Sequence, residues 1–243
     1  MDKRIERMNT EAINKARALY YTFFARILDF AQKEEHYADV ESLIESFSAN
    51  PLDEGSFEAL RALGEHLKKE GFGALKQEYD NVFVSPESSF IPLSASYYDE
   101  GRDDGQKRVK AAGMLLRSKF RRNKPVCNDS EDQILFVFRF MHTLIQAGIE
   151  GDEESLLLSK ELFSEILNEC VDEFTGLLYS HEKSVLYKHT AIILKAFMDF
   201  ERLYLGVAPS HKVASAQRVS AVIQADRKPL SQRIRRNLDE IVL

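Results

Sequence analysis

The sequence predicts an all-α fold. Only 11 glycines and 6 prolines occur in 243 residues, and such a low frequency of backbone-breaking residues favours long helices over many short strands. Apolar residues recur at intervals of three and four over most of the chain, which is typical of amphipathic helices. With 44% hydrophobic residues, the chain can bury a substantial core. We therefore expect a single bundle of about seven to eight helices.

Four helices are predicted in the N-terminal half. Their expected ranges are 9–32, 40–47, 57–70 and 74–84. Asn9 or Thr10 is the expected N-cap of the first helix, whose inner face is rich in aromatic residues. Gly71 is expected to end the third helix and Pro86 to stop the fourth.

Four more helices are predicted in the C-terminal half. Their expected ranges are 104–120, 131–147, 153–174 and 183–205. The inward residues predicted for the helix at 104–120 are Val109, Ala112, Gly113, Leu116 and Phe120. The helix at 131–147 is apolar on much of its circumference, so we expect it to be central. Asn128, Asp129 and Ser130 are its expected N-cap residues.

The two halves are joined by residues 85–105, which are predicted to form a long ordered loop. This segment has two prolines, five serines and no helical period, and loops of this length are usually functional. We assign 1–205 to one helical domain with this loop as its hinge. Residues 206–243 hold seven Lys/Arg against three Asp/Glu, whereas 1–205 are acidic, so we expect a basic helical C-terminal extension.

Composition excludes several classes of function. The formal net charge is −6, opposite in sign to that of proteins that bind nucleic-acid phosphates. The longest apolar stretch is too short to span a bilayer, and no secretory signal is recognised near the N-terminus, so we expect a cytoplasmic location. Cys127 and Cys170 are too far apart in sequence to form a C-x-x-C pair. We expect no metal ligands, no catalytic residues and no bound cofactor, since the common phosphate-loop, dinucleotide and hydrolase motifs are absent.

One acidic run leaves an enzymatic alternative open. Asp99, Glu100, Asp103 and Asp104 are spaced somewhat like the aspartate-rich magnesium motif of all-helical diphosphate enzymes. That chemistry needs a second acidic cluster, and the sequence offers only residues 129–132. Asp103 or Asp104 is also placed to cap the next helix. The alternative function is therefore a magnesium-dependent diphosphate enzyme that uses residues 99–104.

Two longer elements resemble a known family. The first is Glu78-Tyr79-x-x-x-Phe83-Val84-Ser85-Pro86 with Ile91-Pro92-Leu93-Ser94-Ala95-Ser96-Tyr97-Tyr98-Asp99. The second, about thirty residues later, is Asp129-x-x-Asp132-Gln133 followed by Phe140-Met141. Together they resemble the TorD/DmsD family of cytoplasmic maturation chaperones for molybdenum redox enzymes, over roughly 10–205. Ser85 and Gln133 depart from the family pattern, which usually has glycine and histidine at these positions.

The resemblance implies a non-enzymatic chaperone. Its partner would be the precursor of a molybdopterin oxidoreductase, of the formate dehydrogenase or DMSO/TMAO reductase type, bound through its twin-arginine signal peptide so that export waits for cofactor insertion. The expected peptide-binding residues are Tyr79, Phe83, Pro86, Pro92, Leu93, Ser96, Tyr98, Asp99, Asp129, Asp132 and Gln133. Carboxylates suit paired arginines, and aromatic side chains suit the apolar segment that follows them.

Other interpretations stay open. Tyr79 and Phe83, four residues apart, are also the pattern of ordinary core residues. The chain could instead be a helical adaptor without a peptide groove. The sequence does not distinguish a monomer from a domain-swapped homodimer.

Overall fold

The computed structural model describes residues 3–30, 34–37, 39–123, 127 and 129–210. Within these ranges the chain is helical and contains no strand, which confirms the predicted all-α class. The helices are α1 (Lys3–Ile27), α2 (Val40–Ala49), α3 (Glu54–Glu70), α4 (Phe72–Tyr79), α5 (Ala95–Glu100), α6 (Gln106–Arg117), α7 (Ile134–Ile149), α8 (Glu153–Leu162), α9 (Asn168–Ser180) and α10 (Leu186–Leu205). A π-helical turn, Asp80–Val84, extends α4, and a second, Phe163–Leu167, joins α8 to α9.

The core forms around α7 and α10. Helix α7 packs along α1 and α8, and α10 packs along α3 and α9. Aromatic rings fill the space between them: the ring of Tyr20 stacks on Phe47 at 3.9 Å and on Phe197 at 4.7 Å between centroids. Stacked and edge-to-face ring pairs add to the stability that burial of these side chains provides. The prediction that α7 is a central, buried helix is confirmed.

A buried ion pair joins the first and the last of these helices. Arg17 Nε donates to Glu201 Oε1 at 2.5 Å, and Nη2 donates to Glu201 Oε2 at 3.0 Å. Tyr21 Oη donates to the same carboxylate at 2.8 Å, and Asn14 accepts from Arg17 at 2.8 Å. Burial alone would lower the pKa of Arg17, but the bonds to Glu201 outweigh it and raise that pKa. Each charged group is therefore satisfied inside the core.

Two predicted helix starts are wrong. Helix α1 begins at Lys3, so neither Asn9 nor Thr10 is its N-cap. Helix α7 begins at Ile134 with Gln133 at the N-cap position and no side-chain cap. Asp129 and Ser130 use their oxygens elsewhere, and Asn128 lies outside the described residues. The start of α7 is moved because residues 129–133 are bonded to the preceding loop.

The predicted inward face of α6 is also wrong. The residues expected to point inward on this helix are half-buried or exposed: Val109, Ala112, Gly113 and Leu116. The buried residues are instead Lys107, Ala111, Met114 and Leu115. Lys107 tolerates burial because its Nζ donates to the backbone oxygen of Glu165 at 2.6 Å. Phe120 lies beyond the end of α6 and is half-buried against the core.

The segment predicted as a loop at 85–105 contains a short helix. Residues 85–94 are loop, α5 follows, and 101–105 form a bend. Helix α5 is too short for a helical period to be visible in the sequence. Glu100, rather than Asp103 or Asp104, caps α6, because its Oε1 accepts from the backbone N of Gln106 at 2.5 Å. A Cβ at Gly105 would lie 2.5 Å from that carboxylate oxygen, so a larger residue there would displace the Glu100 side chain from its capping position.

The predicted C-terminal extension, 206–243, lies outside the described residues except for 206–210. In that short stretch, Val207 N donates to Arg202 O at 2.9 Å and Ala208 O accepts from Asn168 at 2.9 Å. No described helix combines the length and apolar character needed to cross a membrane.

Candidate functional site

A buried carboxylate ties the loop to the start of α7. Asp132 is 0% exposed and accepts four hydrogen bonds: from Ser94 Oγ at 2.8 Å, Ser96 N at 3.1 Å, Ser96 Oγ at 2.5 Å and Ser130 Oγ at 3.0 Å. Burial alone would raise the pKa of Asp132, but the bonds from Ser96, Ser94 and Ser130 outweigh it and lower that pKa. We call these four residues the Asp132 cluster.

Backbone bonds reinforce the Asp132 cluster. Ala95 N donates to Asp132 O at 2.9 Å, and Ile134 N donates to Leu93 O at 2.8 Å, on either side of an antiparallel bridge between Ser94 and Gln133. Tyr98 is buried, and its hydroxyl donates to Pro92 O at 2.7 Å. The structure thus brings together six predicted site residues: Pro92, Leu93, Ser96, Tyr98, Asp132 and Gln133. These bonds fix the loop against α7.

Glu78, the first residue of the resembling motif, caps α10. Its buried carboxylate accepts from the backbone N of Val185, Leu186 and Tyr187 at 2.8, 2.9 and 2.7 Å. Three N–H groups at a helix start are natural partners for an anion. Glu78 thereby fixes the C-terminal end of α4 against α10, which positions the two aromatic residues that follow it.

Three rings form a half-exposed aromatic row beside this cap. Tyr79 lies 5.3 Å from Phe30 and 5.0 Å from Phe83, between ring centroids. Phe83 in turn lies 5.4 Å from the buried ring of Tyr187. Phe30 is 37% exposed, and Tyr79 and Phe83 are partly buried. The row therefore has one side against the core and one side open to solvent.

Two carboxylates lie within electrostatic range of Tyr79 in this row. Arg139 Nη1 donates to Asp129 Oδ2 at 2.9 Å, and Arg139 Nη2 donates to Asp29 Oδ2. Burial, followed by the charges of Asp29 and Asp129, raises the pKa of Tyr79, so both carboxylates are within electrostatic reach of its hydroxyl. We call this set the Tyr79 surface: Asp29, Phe30, Tyr79, Phe83 and Asp129.

The remaining predicted residues lie apart from both groups. Pro86 is exposed in the turn after the π-helical segment. Asp99 is half-buried on α5, beside Glu100 and within electrostatic range of Lys110. Sequence reasoning missed Asp29, Phe30 and Arg139, although an acidic and an aromatic residue directly after the last apolar turn of α1 were an available signal.

The acidic run at 99–104 is engaged with basic groups of the chain. Glu100 pairs with Arg102 at 2.7 Å, and Asp104 pairs with Arg108. Arg108 also contacts Glu131, at 3.2 Å. Among the described residues, no group of three or more His, Cys, Asp or Glu side chains is placed to hold a metal ion.

Residues 49–176, more than half of the chain, match the family model described as nitrate reductase delta subunit. The chain belongs to this family. The match confirms the resemblance to the TorD/DmsD chaperones. As a member of this family, the chain is a redox enzyme maturation chaperone. The matched segment contains Tyr79, Phe83, Asp129 and Asp132, whereas Asp29 and Phe30 lie outside it.

One solved structure is similar to this family member. It is described as a redox enzyme maturation protein from Archaeoglobus fulgidus, and it shares 19% sequence identity at a TM-score of 0.47. The alignment covers 76% of this chain and 93% of that one. No curated protein matches the chain.

Proposed function

We propose that this chain is a cytoplasmic chaperone that binds the twin-arginine signal peptide and the immature form of a molybdopterin oxidoreductase. Binding assists cofactor insertion and delays export. The observation that carries the proposal is the Tyr79 surface, where two carboxylates lie within electrostatic range of a half-exposed ring in a member of the delta-subunit family.

The chemistry of this surface suits such a peptide. Guanidinium groups bind carboxylates through paired, charge-assisted hydrogen bonds, and they also stack on aromatic faces. Asp29 and Asp129 are 23% and 30% exposed at their side chains, so an incoming arginine can reach them. The row from Phe30 to Phe83 offers an apolar strip for the segment that follows the arginines.

The other predicted residues have a supporting role in this proposal. Asp132 and Tyr98 are buried and bonded within the chain, so they hold the loop rather than touch the peptide. Pro92, Leu93, Ser96 and Gln133 belong to the same connection between the loop and α7. Direct contact is assigned to Tyr79, Phe83 and Asp129, and Pro86 and Asp99 lie outside the proposed contact.

The client is a molybdenum oxidoreductase of the formate dehydrogenase or DMSO/TMAO reductase type, and the family description adds nitrate reductase to these candidates. Capture from the native cell with the tagged full chain, followed by identification of the bound precursor, separates the three.

Titration calorimetry tests the peptide contact. The probe is a synthetic peptide with two adjacent arginines followed by a leucine-rich segment. We expect the wild type to bind it, and we expect Tyr79→Ala and Asp129→Asn each to weaken binding about tenfold or more, as loss of a central contact does. Tyr179→Ala and Asp104→Asn are matched controls, because both side chains are exposed and lie outside the Tyr79 surface.

Loss of binding in the two surface variants with retention in the two controls supports the proposed contact. Equal binding by all five proteins would place the peptide elsewhere on the chain. Absence of binding by the wild type, together with capture of no redox precursor, would overturn the proposed function.

A further inference from the structure

The Tyr79 surface already holds a guanidinium group, that of Arg139 from α7. One terminal nitrogen of Arg139 donates to Asp129 and the other donates to Asp29. The Sγ of Cys127 lies 3.7 Å from Nη1. Asp29 follows α1, and Asp129 precedes α7. Their carboxylates thus accept from the two terminal nitrogens of one planar guanidinium group.

This arrangement is specific for a guanidinium. A guanidinium presents several N–H donors in one plane, whereas an ammonium is a compact charge that does not reproduce that geometry. Burial alone would lower the pKa of Arg139, but the two carboxylates outweigh it and raise that pKa. The group is therefore charged, and two charge-assisted contacts stabilise it.

The ion pairs are open enough to exchange. The side chain of Arg139 is 35% exposed, so solvent reaches the contact. Arg139 also borders a cleft of about 300 Å³ whose walls include Thr22 and His142. The arginine side chain therefore has space to move into when another cation replaces it.

Two further polar groups lie beside the aromatic row. Lys76 Nζ lies 5.3 Å from the centroid of the Phe30 ring, so a second cation of the chain sits on the aromatic row. The hydroxyl of Tyr187 is buried behind Phe83 and has no hydrogen-bond partner among the residues that the structure describes. The pKa of Tyr187 is raised well above its usual value, first by burial and then by the charges of nearby groups that include Glu78 and Asp29. The Tyr187 hydroxyl therefore lies within electrostatic range of Asp29.

We propose that Asp29 and Asp129 form an arginine site that Arg139 occupies in the free protein and that an arginine of the client peptide takes when it binds. The inference rests on the proposed function and deepens it. Exchange of one guanidinium for another keeps both carboxylates paired, and the displaced Arg139, whose side chain is already 35% exposed, can be hydrated. Because the peptide must displace a resident group, the resident group lowers the apparent affinity.

Arg139→Met tests the exchange. It removes the competing guanidinium and leaves the two carboxylates for the peptide. We expect this variant to bind the synthetic twin-arginine peptide about tenfold more tightly than the wild type, a change equivalent to about 1.4 kcal/mol. Asp29→Asn should weaken binding, and it should also reduce the preference for this peptide over its twin-lysine counterpart.

Arg122→Met is the matched control. Arg122 carries the same charge, pairs with Glu131 at 3.3 Å and donates to the backbone oxygen of Asp129 at 2.5 Å, but neither contact involves the carboxylates of the arginine site. Its substitution should leave peptide affinity within about twofold of the wild type. If Arg139→Met fails to fold, Arg139→Lys replaces it. We expect its affinity for the peptide to lie between that of the wild type and that of a protein with no competing cation in the site.

The outcomes separate the two proposals. Binding by the wild type with no gain in Arg139→Met and Arg139→Lys, or with a gain shared by Arg122→Met, would overturn the arginine site and leave the proposed function standing. Tighter binding by Arg139→Met, with the affinity of Arg122→Met unchanged, supports the arginine site. If neither the wild type nor Arg139→Met binds the twin-arginine peptide and the tagged chain captures no redox precursor, the proposed function falls.

Discussion

At the residue scale, Asp132 is the carboxylate on which the connection between the loop and α7 depends. It is fully buried, and the groups of Ser94, Ser96 and Ser130 that donate hydrogen bonds to it are uncharged. We expect Asp132→Asn to lower the free energy of unfolding by roughly 2–4 kcal/mol, because the amide replaces charge-assisted bonds and sets its own N–H groups against other donors. Urea unfolding measures this cost, and Asp104→Asn, at a side chain that is 65% exposed, is the control expected to change stability little. A similar loss in both variants would contradict the role given to Asp132.

The pH dependence of stability follows from the same residue. The pKa of Asp132 is lowered below 3.8 in the folded state, so its contribution is present above the unfolded pKa and is lost as the pH falls through the folded pKa. We expect the free energy of unfolding of the wild type to fall as the pH drops below about 5, and that of Asp132→Asn to fall less. Urea unfolding across this range should show the two proteins converge at low pH. Parallel curves would mean that Asp132 is not ionised in the native state.

Single residues also show where sequence reasoning ends. The motif predicted a site with Tyr79, Phe83 and Asp129, and that site remains a prediction. It could not indicate that Arg139 pairs with Asp29, because 110 positions separate the two residues and only the packing of α1 against α7 brings them together. Nor could it show that Glu78 reaches across to cap α10, since no local spacing records a contact between distant helices.

At the scale of the element, α6 shows that apolar spacing can be right about a helix and wrong about its face. Two sets of residues on α6 have helical spacing. The set that includes Leu115 is buried, whereas Leu116 in the other set is exposed. These adjacent leucines are 8% and 70% exposed, which makes them a matched pair. We expect Leu115→Ala to cost roughly 2–4 kcal/mol of stability through loss of packing, and Leu116→Ala to cost less than about 0.5 kcal/mol.

Thermal or urea unfolding of the two α6 variants gives the comparison directly. Because the substitution is the same, differences in helix propensity cancel between them. A larger cost for Leu116→Ala would mean that α6 is rotated so that Val109 and Leu116 face the core. The sequence could not decide this orientation, because burial of Lys107 depends on a backbone oxygen of Glu165 in a distant segment.

At the scale of the whole molecule, the all-α class could be predicted because scarce glycine and proline and three-to-four spacing are properties of the chain itself. The short helix α5 could not, because its first turn is fixed by Asp132, which lies 36 positions after Ser96. The sequence placed the start of α7 three residues too early, at residue 131 instead of Ile134, for the same reason. Helix existence is thus local information, whereas the starts of α5 and α7 are set by partners elsewhere in the fold.

The ion pair between Arg17 and Glu201 is the longest-range of these partnerships, since it joins residues 184 positions apart. We expect Arg17→Met or Glu201→Gln to lower the free energy of unfolding by about 3–5 kcal/mol each, because either change leaves a charge or polar group buried without its partner. The double variant should cost less than the two single costs combined, because it removes both groups.

Urea unfolding of the two single variants and the double variant measures this coupling between α1 and α10. The exposed pair of Lys15 and Glu11 on α1, at 2.7 Å, is the control, and its single variants should each cost less than about 1 kcal/mol. Single costs at Arg17 and Glu201 as small as those at the control pair would mean that water reaches this contact. In that case the aromatic contacts around Tyr20 and Phe197 would be the main link between α1 and α10.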